Sequence, residues 1–116
     1  MIQKKGYKIS EAIRDLVRDY AVSQDVETNR VVVGTLTMVY DHHKPGLSGR
    51  LTSLQHDMKG KVLAATHVHL DHRNCLEVVI MKGRSLEMKG FAEKILSLRG
   101  VKHGKFVLTS TGQGLP

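Results

Sequence analysis

The sequence predicts an α+β domain of βαββαβ order, preceded by one further amphipathic helix. Three observations carry this. Four runs rich in β-branched and aliphatic residues, at 30–40, 61–70, 75–84 and 101–108, read as strands. Two stretches with apolar residues at helical spacing, 47–58 and 85–99, lie between them. The order strand, helix, strand, strand, helix, strand is that of the split βαβ, the ferredoxin-like (ACT-like) arrangement, in which both helices cover one face of a four-stranded antiparallel sheet.

Each element has its own justification. Residues 1–8 are short and basic, with Gly6-Tyr7 as a turn. Ser10 stands where an N-cap is expected, ahead of Ile13, Leu16, Val17 and Tyr20 at helical spacing. The apolar stripe of that helix needs something to pack on, and the little chain before it implies a second subunit. Residues 23–29 are polar and acidic and read as a linker. Val31, Val32 and Val33, then Leu36, Met38 and Tyr40 in alternation, make the first strand, and Pro45 and Gly46 mark the loop after it. The helix over 47–58 ends at Lys59-Gly60. Residues 61–70 and 75–84 form a hairpin across the polar turn Asp71 to Asn74. Ser85 caps a helix whose apolar face is Met88, Phe91, Ile95 and Leu98, and Gly100 stops it. After the last strand, residues 109–116 form a polar tail expected to be disordered. The domain reading is 1–22, a linker at 23–29, a ferredoxin-like domain at 30–108, and the tail at 109–116. The sheet face away from the helices has no cover from this chain, a second argument for oligomers.

Bulk properties narrow the function classes. A chain of 116 residues supplies one ordinary domain with an appendage, and a net charge of +7 points to an anionic partner, nucleic acid first. One cysteine makes no internal disulfide and fits a reducing cytosol. No signal peptide is visible, and no apolar run reaches the ~20 residues of a membrane span.

The chemistry is concentrated at His67-Val68-His69-Leu70-Asp71-His72-Arg73-Asn74-Cys75, which holds three of seven histidines and the single cysteine. Residues two apart on a strand share a face, so His67 and His69 project together, roughly 7 Å apart at Cβ. The hairpin returns Cys75 to the neighbourhood of His69. Two imidazoles and a thiolate suit Ni(II), Cu(II) or Zn(II), and a planar arrangement favours the first two. His56 is the candidate fourth ligand. Residues 61–67 carry the chain about 20 Å away from it, so another subunit would have to donate it. The bland alternative is a solvated histidine pair beside a small buried cysteine. The same stretch also fits the H-x-H-x-D-H signature of metallo-β-lactamase-like hydrolases, which need a larger fold and more ligands than this chain offers. His42-His43 and His103 read as solvated or auxiliary. Glu11 and Asp15, one turn apart, suit a hard cation or are simply an exposed acidic pair. Lys4, Lys5, Lys8, Arg14 and Arg18 form the densest basic cluster, suited to phosphates or to a solvated face.

Gly6-Tyr7, Ser10 to Asp15, Gln55-His56, His67-Val68-His69, Cys75-Leu76-Glu77 and Arg99 to Gly104 together resemble the nickel-responsive ribbon-helix-helix transcriptional regulators, the NikR family. The resemblance runs over almost the whole chain. It implies a cytoplasmic, non-enzymatic repressor of nickel-uptake genes, tetrameric and DNA-binding. His67, His69 and Cys75 of one subunit and His56 of a neighbour would bind Ni(II) in a square plane, oriented by Tyr40, Gln55 and Glu77. Glu11 and Asp15 fall where the family binds a potassium-like cation, and Arg14 at a DNA-contacting helix position, with Lys8 and Arg18 on the backbone. In the family a strand and a first helix precede the position of Gly6, and paired strands enter the DNA major groove. Only five residues precede Gly6 here. The expectation is therefore a complete metal half with the remaining helix of a ribbon-helix-helix domain. The alternative is a nickel-binding oligomeric core without sequence-specific DNA binding of its own.

Overall fold

The structure, a computed structural model, describes residues 7–58 and 60–115. Its elements are α1 (Ile9–Glu27), β1 (Val31–Asp41), α2 (Leu47–Asp57), β2 (Val62–His69), β3 (Asn74–Arg84), α3 (Ser85–Leu96) and β4 (Val101–Thr109). The strands form one sheet in the order β2-β3-β1-β4, with every pairing antiparallel. This is the ferredoxin-like, ACT-like arrangement that the element order predicts.

Strand alternation decides which side chains meet the helices. On β1, Val32, Leu36, Met38 and Tyr40 are buried, and on β3, Cys75, Glu77, Val79 and Met81. They pack beneath Leu47 and Leu51 of α2 and Met88, Phe91, Ala92 and Ile95 of α3, making the core aliphatic and methionine-rich. The opposite register positions face away from the helices. There Val31, Val68 and Val107 remain exposed, at 47%, 44% and 56%. An apolar sheet face of this kind is a surface that a second copy could cover.

Four helix boundaries differ from the sequence reading. Helix α1 does not stop near residue 22 but runs through Glu27, taking in most of the residues read as a linker. Val22 and Val26 continue its apolar spacing, and distant partners fix its end. The Ser85 hydroxyl donates to the Val26 carbonyl at 2.5 Å, and the Leu86 N–H donates to the Asn29 side chain at 3.0 Å. Asn29 itself adopts a left-handed conformation, φ 56°, which turns the chain into β1. The N-cap of α1 is Lys8 rather than Ser10, and that of α3 is Arg84 rather than Ser85, whose hydroxyl is committed to Val26. Helix α3 closes at Leu96 instead of Arg99. The Ser97 hydroxyl turns back to the Lys94 carbonyl, the Leu98 N–H reaches Ile95, and Gly100 (φ 98°) completes the turn. In the tail, Ser110 and Gly112 form a local turn through the Gly112 N–H.

Among the described residues the apolar stripe of α1 is left open: Ile9, Ile13, Leu16, Val17 and Tyr20 are all more than half exposed, while Ala12 is buried. Among the described residues, no helix is long and apolar enough to cross a membrane.

Candidate metal centre

The β2–β3 register sets His69 opposite Cys75 and His67 opposite Glu77, and the β1–β3 register sets Tyr40 on the other side of Cys75. All five lie on the helix-bearing side of the sheet. Cys75 is fully buried, with Sγ 3.4 Å from His69 Nδ1, whereas His67 and His69 on the edge strand are exposed. The two imidazoles stand together, ring centres 5.2 Å apart. A buried thiol thus sits beneath two accessible imidazoles.

The surroundings hold these groups in place. The Tyr40 hydroxyl lies 3.4 Å from His67 Nδ1. Burial, then the charges of Glu77 and Cys75, push its pKa up to about 12, so it stays a neutral donor. Glu77, only 8% exposed, accepts a hydrogen bond from Gln55 Nε2 on α2. Burial pushes the Cys75 thiol above its ordinary range, and the Asp71 and Glu77 carboxylates add to the shift. A metal ligand must be the thiolate, so binding here displaces the thiol proton.

The hairpin turn depends on Asp71. Its carboxylate accepts from the Arg73 N–H at 2.9 Å, the Asn74 N–H at 2.8 Å and the Asn74 side-chain amide at 3.0 Å. These bonds, the Asn74 side chain first, draw its pKa down to about 2. The Asp of the H-x-H-x-D-H pattern is therefore employed as the acceptor of a tight turn.

Helix α2 supplies one wall of a cleft through Ser48, Leu51, Thr52, Gln55 and His56. Val62 and His67 form the opposite wall, with Tyr40 and Glu77 beneath. His56 and His67 line this one cleft, contrary to the separation of about 20 Å expected from strand rise, because α2 and β2 both border it. Among the described residues, however, the group whose ligand atoms lie within 4.8 Å of one another is His42, His69 and Cys75. His42, read from the sequence as a solvated or auxiliary loop residue rather than part of a primary site, is the candidate that spacing did not place beside the thiol. The signal was available in the topology: once the first and third strands are neighbours, the residue following β1 lies beside the residue preceding β3. The His42 N–H indeed donates to the Arg73 carbonyl at 2.7 Å. His103 pairs with Val39 on the sheet face opposite the metal centre.

At the start of α1, Lys8 and Arg14 are exposed. Glu11 accepts from the Lys8 N–H at 3.5 Å, and Asp15 accepts from the Tyr7 hydroxyl, whose pKa that bond raises. Lys4 and Lys5 lie outside the described residues.

Two imidazoles beside a thiol, with the nearest carboxylates occupied by Gln55 and by the turn, are donors that fit a borderline ion such as Ni(II) and fit a hard cation poorly. Residues 33–109 match the NikR C terminal nickel binding domain. The chain belongs to the NikR family. Among its relatives is a protein of Nitratidesulfovibrio vulgaris (strain DSM 19637 / Miyazaki F), 53% identical over 107 residues, covering 91% of this chain and 77% of that protein. Another, from Thermococcus onnurineus, is 48% identical over 117 residues and covers 99% of this chain and 85% of that protein. Both carry the name "Putative nickel-responsive regulator". In three dimensions the fold resembles the ACT domain from the GTP pyrophosphokinase of Chlorobium tepidum, with a TM-score of 0.55 at 12% identity over 66% of this chain and 99% of that one. Ni(II) is the metal of this family's C-terminal domain, and the residues present here suit it.

Proposed function

We propose that this chain is a nickel-responsive repressor of nickel-uptake genes, in which His67, His69 and Cys75 of one subunit and His56 of a neighbour bind Ni(II). The observation that carries the reading is the register at the sheet edge, with His69 opposite Cys75 and His67 opposite Glu77, open on the side where another subunit would stand. Tyr40, Gln55 and Glu77 orient the ligands through the contacts described above. When bound, the ion supplies a fixed positive charge that ties donors of two chains together. The residues do the rest: Cys75 gives up its proton, and His56 fixes one subunit against the next.

In the same reading the protein is a cytoplasmic, non-enzymatic homotetramer. Residues 1–22 serve DNA binding, 23–29 join the parts, 30–108 bind nickel and assemble, and 109–116 form a tail. The bare sheet face and the α1 stripe supply its interfaces. Lys8, Arg14 and Arg18 contact DNA phosphates, and the Glu11–Asp15 pair holds a potassium-like cation beside them.

Complementation tests the shared site. Co-refolded H56A and C75A chains should regain tight nickel sites that neither possesses alone; no regain would place all four ligands in one chain or remove His56 from the set. Gel shifts then test repression. Nickel-dependent retention of operator over unrelated DNA is expected, whereas salt-sensitive, sequence-indifferent binding would reduce the protein to a metal-binding oligomeric core.

A further inference from the structure

The end of the sheet far from the metal centre gathers cations. The β1–β3 register sets Arg84 against Val31 and Lys82 against Val33, so both basic residues belong to the face away from the helices. Arg30, just before β1, joins them. The tail folds back beside this end and closes a cleft of about 360 Å³, lined by Asp25, Arg30, Val31, Arg84, Thr111 and Gln113. Lys82 adjoins it across Val31, Thr111 and Gln113. At strand rise, Arg84 lies about 30 Å along β3 from Cys75. The first residues of α1 lie about 24 Å along the helix from Asp25. The cleft is therefore remote both from the nickel ligands and from the end of α1 assigned to DNA.

Its positive charge is only partly used. Asp25 is the one carboxylate in the lining, and it comes no closer to Arg30 than 4.0 Å, a loose pair that leaves the guanidinium fork open to a further acceptor. Arg84 commits Nη1 to the Asn29 carbonyl at 3.2 Å, which fixes the guanidinium and leaves it other N–H groups to donate. Among the described residues, the Lys82 ammonium has no hydrogen-bond or ion-pair partner. The Thr111 oxygen accepts from the Gln113 N–H at 3.4 Å, so its own hydroxyl proton remains to donate. Three cations against one carboxylate, with a hydroxyl and an amide beside them, make a recognition set for an oxyanion. The donors come from three separate segments: the turn before β1, the end of β3 and the tail. A planar carboxylate has two oxygens to offer them, whereas a tetrahedral phosphate has one for each segment. We infer that this cleft binds the phosphate group of a small anion, either free phosphate or a phosphate monoester. The bound group ties the turn after α1 to the sheet and to the tail. The inference shares no ligand with the nickel site and stands independently of it.

The test is calorimetric titration of the full, metal-free chain with inorganic phosphate at constant ionic strength. Binding that saturates at one phosphate per chain is expected, while acetate should show no saturation. R30Q and K82Q each remove a charge from an exposed side chain, so the core is untouched. Each should weaken phosphate binding by about 10-fold, the scale of one hydrogen bond to a charged group, and the double variant should abolish it. K105Q removes the same charge from an exposed position on β4 outside the cleft and should stay within about 2-fold of the parent, because screening damps distant charges. Tighter binding of glycerol 3-phosphate than of inorganic phosphate identifies an ester as the ligand, and equal or weaker binding identifies free phosphate. K105Q weakening binding as much as K82Q overturns the inference, since attraction would then be general rather than local. Acetate binding as well as phosphate also overturns it. So does an absence of saturation with phosphate while R30Q/K82Q loses affinity for unrelated duplex DNA, which would make these cations a nucleic-acid surface.

Discussion

Replacing Gln55 with Ala probes how the helix layer holds the metal centre. Gln55 is the α2 residue that donates to Glu77, a carboxylate 8% exposed and directly opposite His67. A hydrogen bond to a charged group contributes about 1.5–3 kcal/mol, and a buried acceptor left short of donors is penalised. The Tyr40 hydroxyl also interacts with Glu77 and, with its pKa near 12, remains a donor throughout the neutral range. The carboxylate is therefore not orphaned, and the lower part of the range applies: about 2 kcal/mol. With a urea m-value of about 2 kcal/mol/M, the unfolding midpoint falls by about 1 M at unchanged m. The assay is urea unfolding followed by circular dichroism, with metal removed and protein concentration held constant, because assembly stabilises by mass action. Thr52→Ala, on the same cleft wall but exposed, is the control and should stay within about 0.5 kcal/mol of the parent. If Q55A behaves like T52A, Glu77 is held by something other than α2 and this account of the site is wrong.

Other parts of the fold make their own predictions. A Cβ at Gly104 would lie 3.0 Å from the Thr37 carbonyl oxygen and 2.2 Å from a Leu96 methyl, so Gly104→Ala should cost about 1–3 kcal/mol by overpacking; unchanged thermal stability would refute the packing seen there. Asp71 has a depressed pKa, so its contribution to stability is present in full above the unfolded carboxyl value of about 3.9 and is lost as pH falls toward about 2. Stability measured from pH 5 to pH 2 should therefore fall less steeply in D71A than in the parent, and equal slopes would contradict the turn's dependence on the carboxylate. Ser85→Ala removes the bond to Val26 and should cost about 1 kcal/mol, with amide exchange accelerated over the last turns of α1. Acceleration confined to α3 would show that the bond does not anchor α1.

The parts of the fold legible in the sequence were those governed by local pattern. Alternation through Leu36, Met38 and Tyr40, the Asp71–Asn74 turn and the 88/91/95 stripe each specify an element from its own residues. Their order then restricts the topology to very few arrangements. What local pattern could not supply were boundaries set by distant partners. The polar residues after Val22 look like a linker until Ser85 and Asn29, from elsewhere in the chain, are seen to fasten the end of α1. The metal centre divides the same way. His69 and Cys75 meet across a hairpin, a relation readable from spacing. The Gln55–Glu77 bond depends on the path of a helix across the sheet, and the approach of His42 depends on two strands 33 residues apart in register, Asp41 against Asn74. Both lie beyond spacing arguments, although the second follows once the strand order is known.

The central claim is that Cys75 and the histidines around it bind nickel, and a titration of metal-free protein with Ni(II) tests it most directly. The account predicts one nickel per chain with thiolate-to-metal charge-transfer absorption, and loss of that absorption in Cys75→Ala. Two zinc ions per chain, with no thiolate band from nickel, would contradict it.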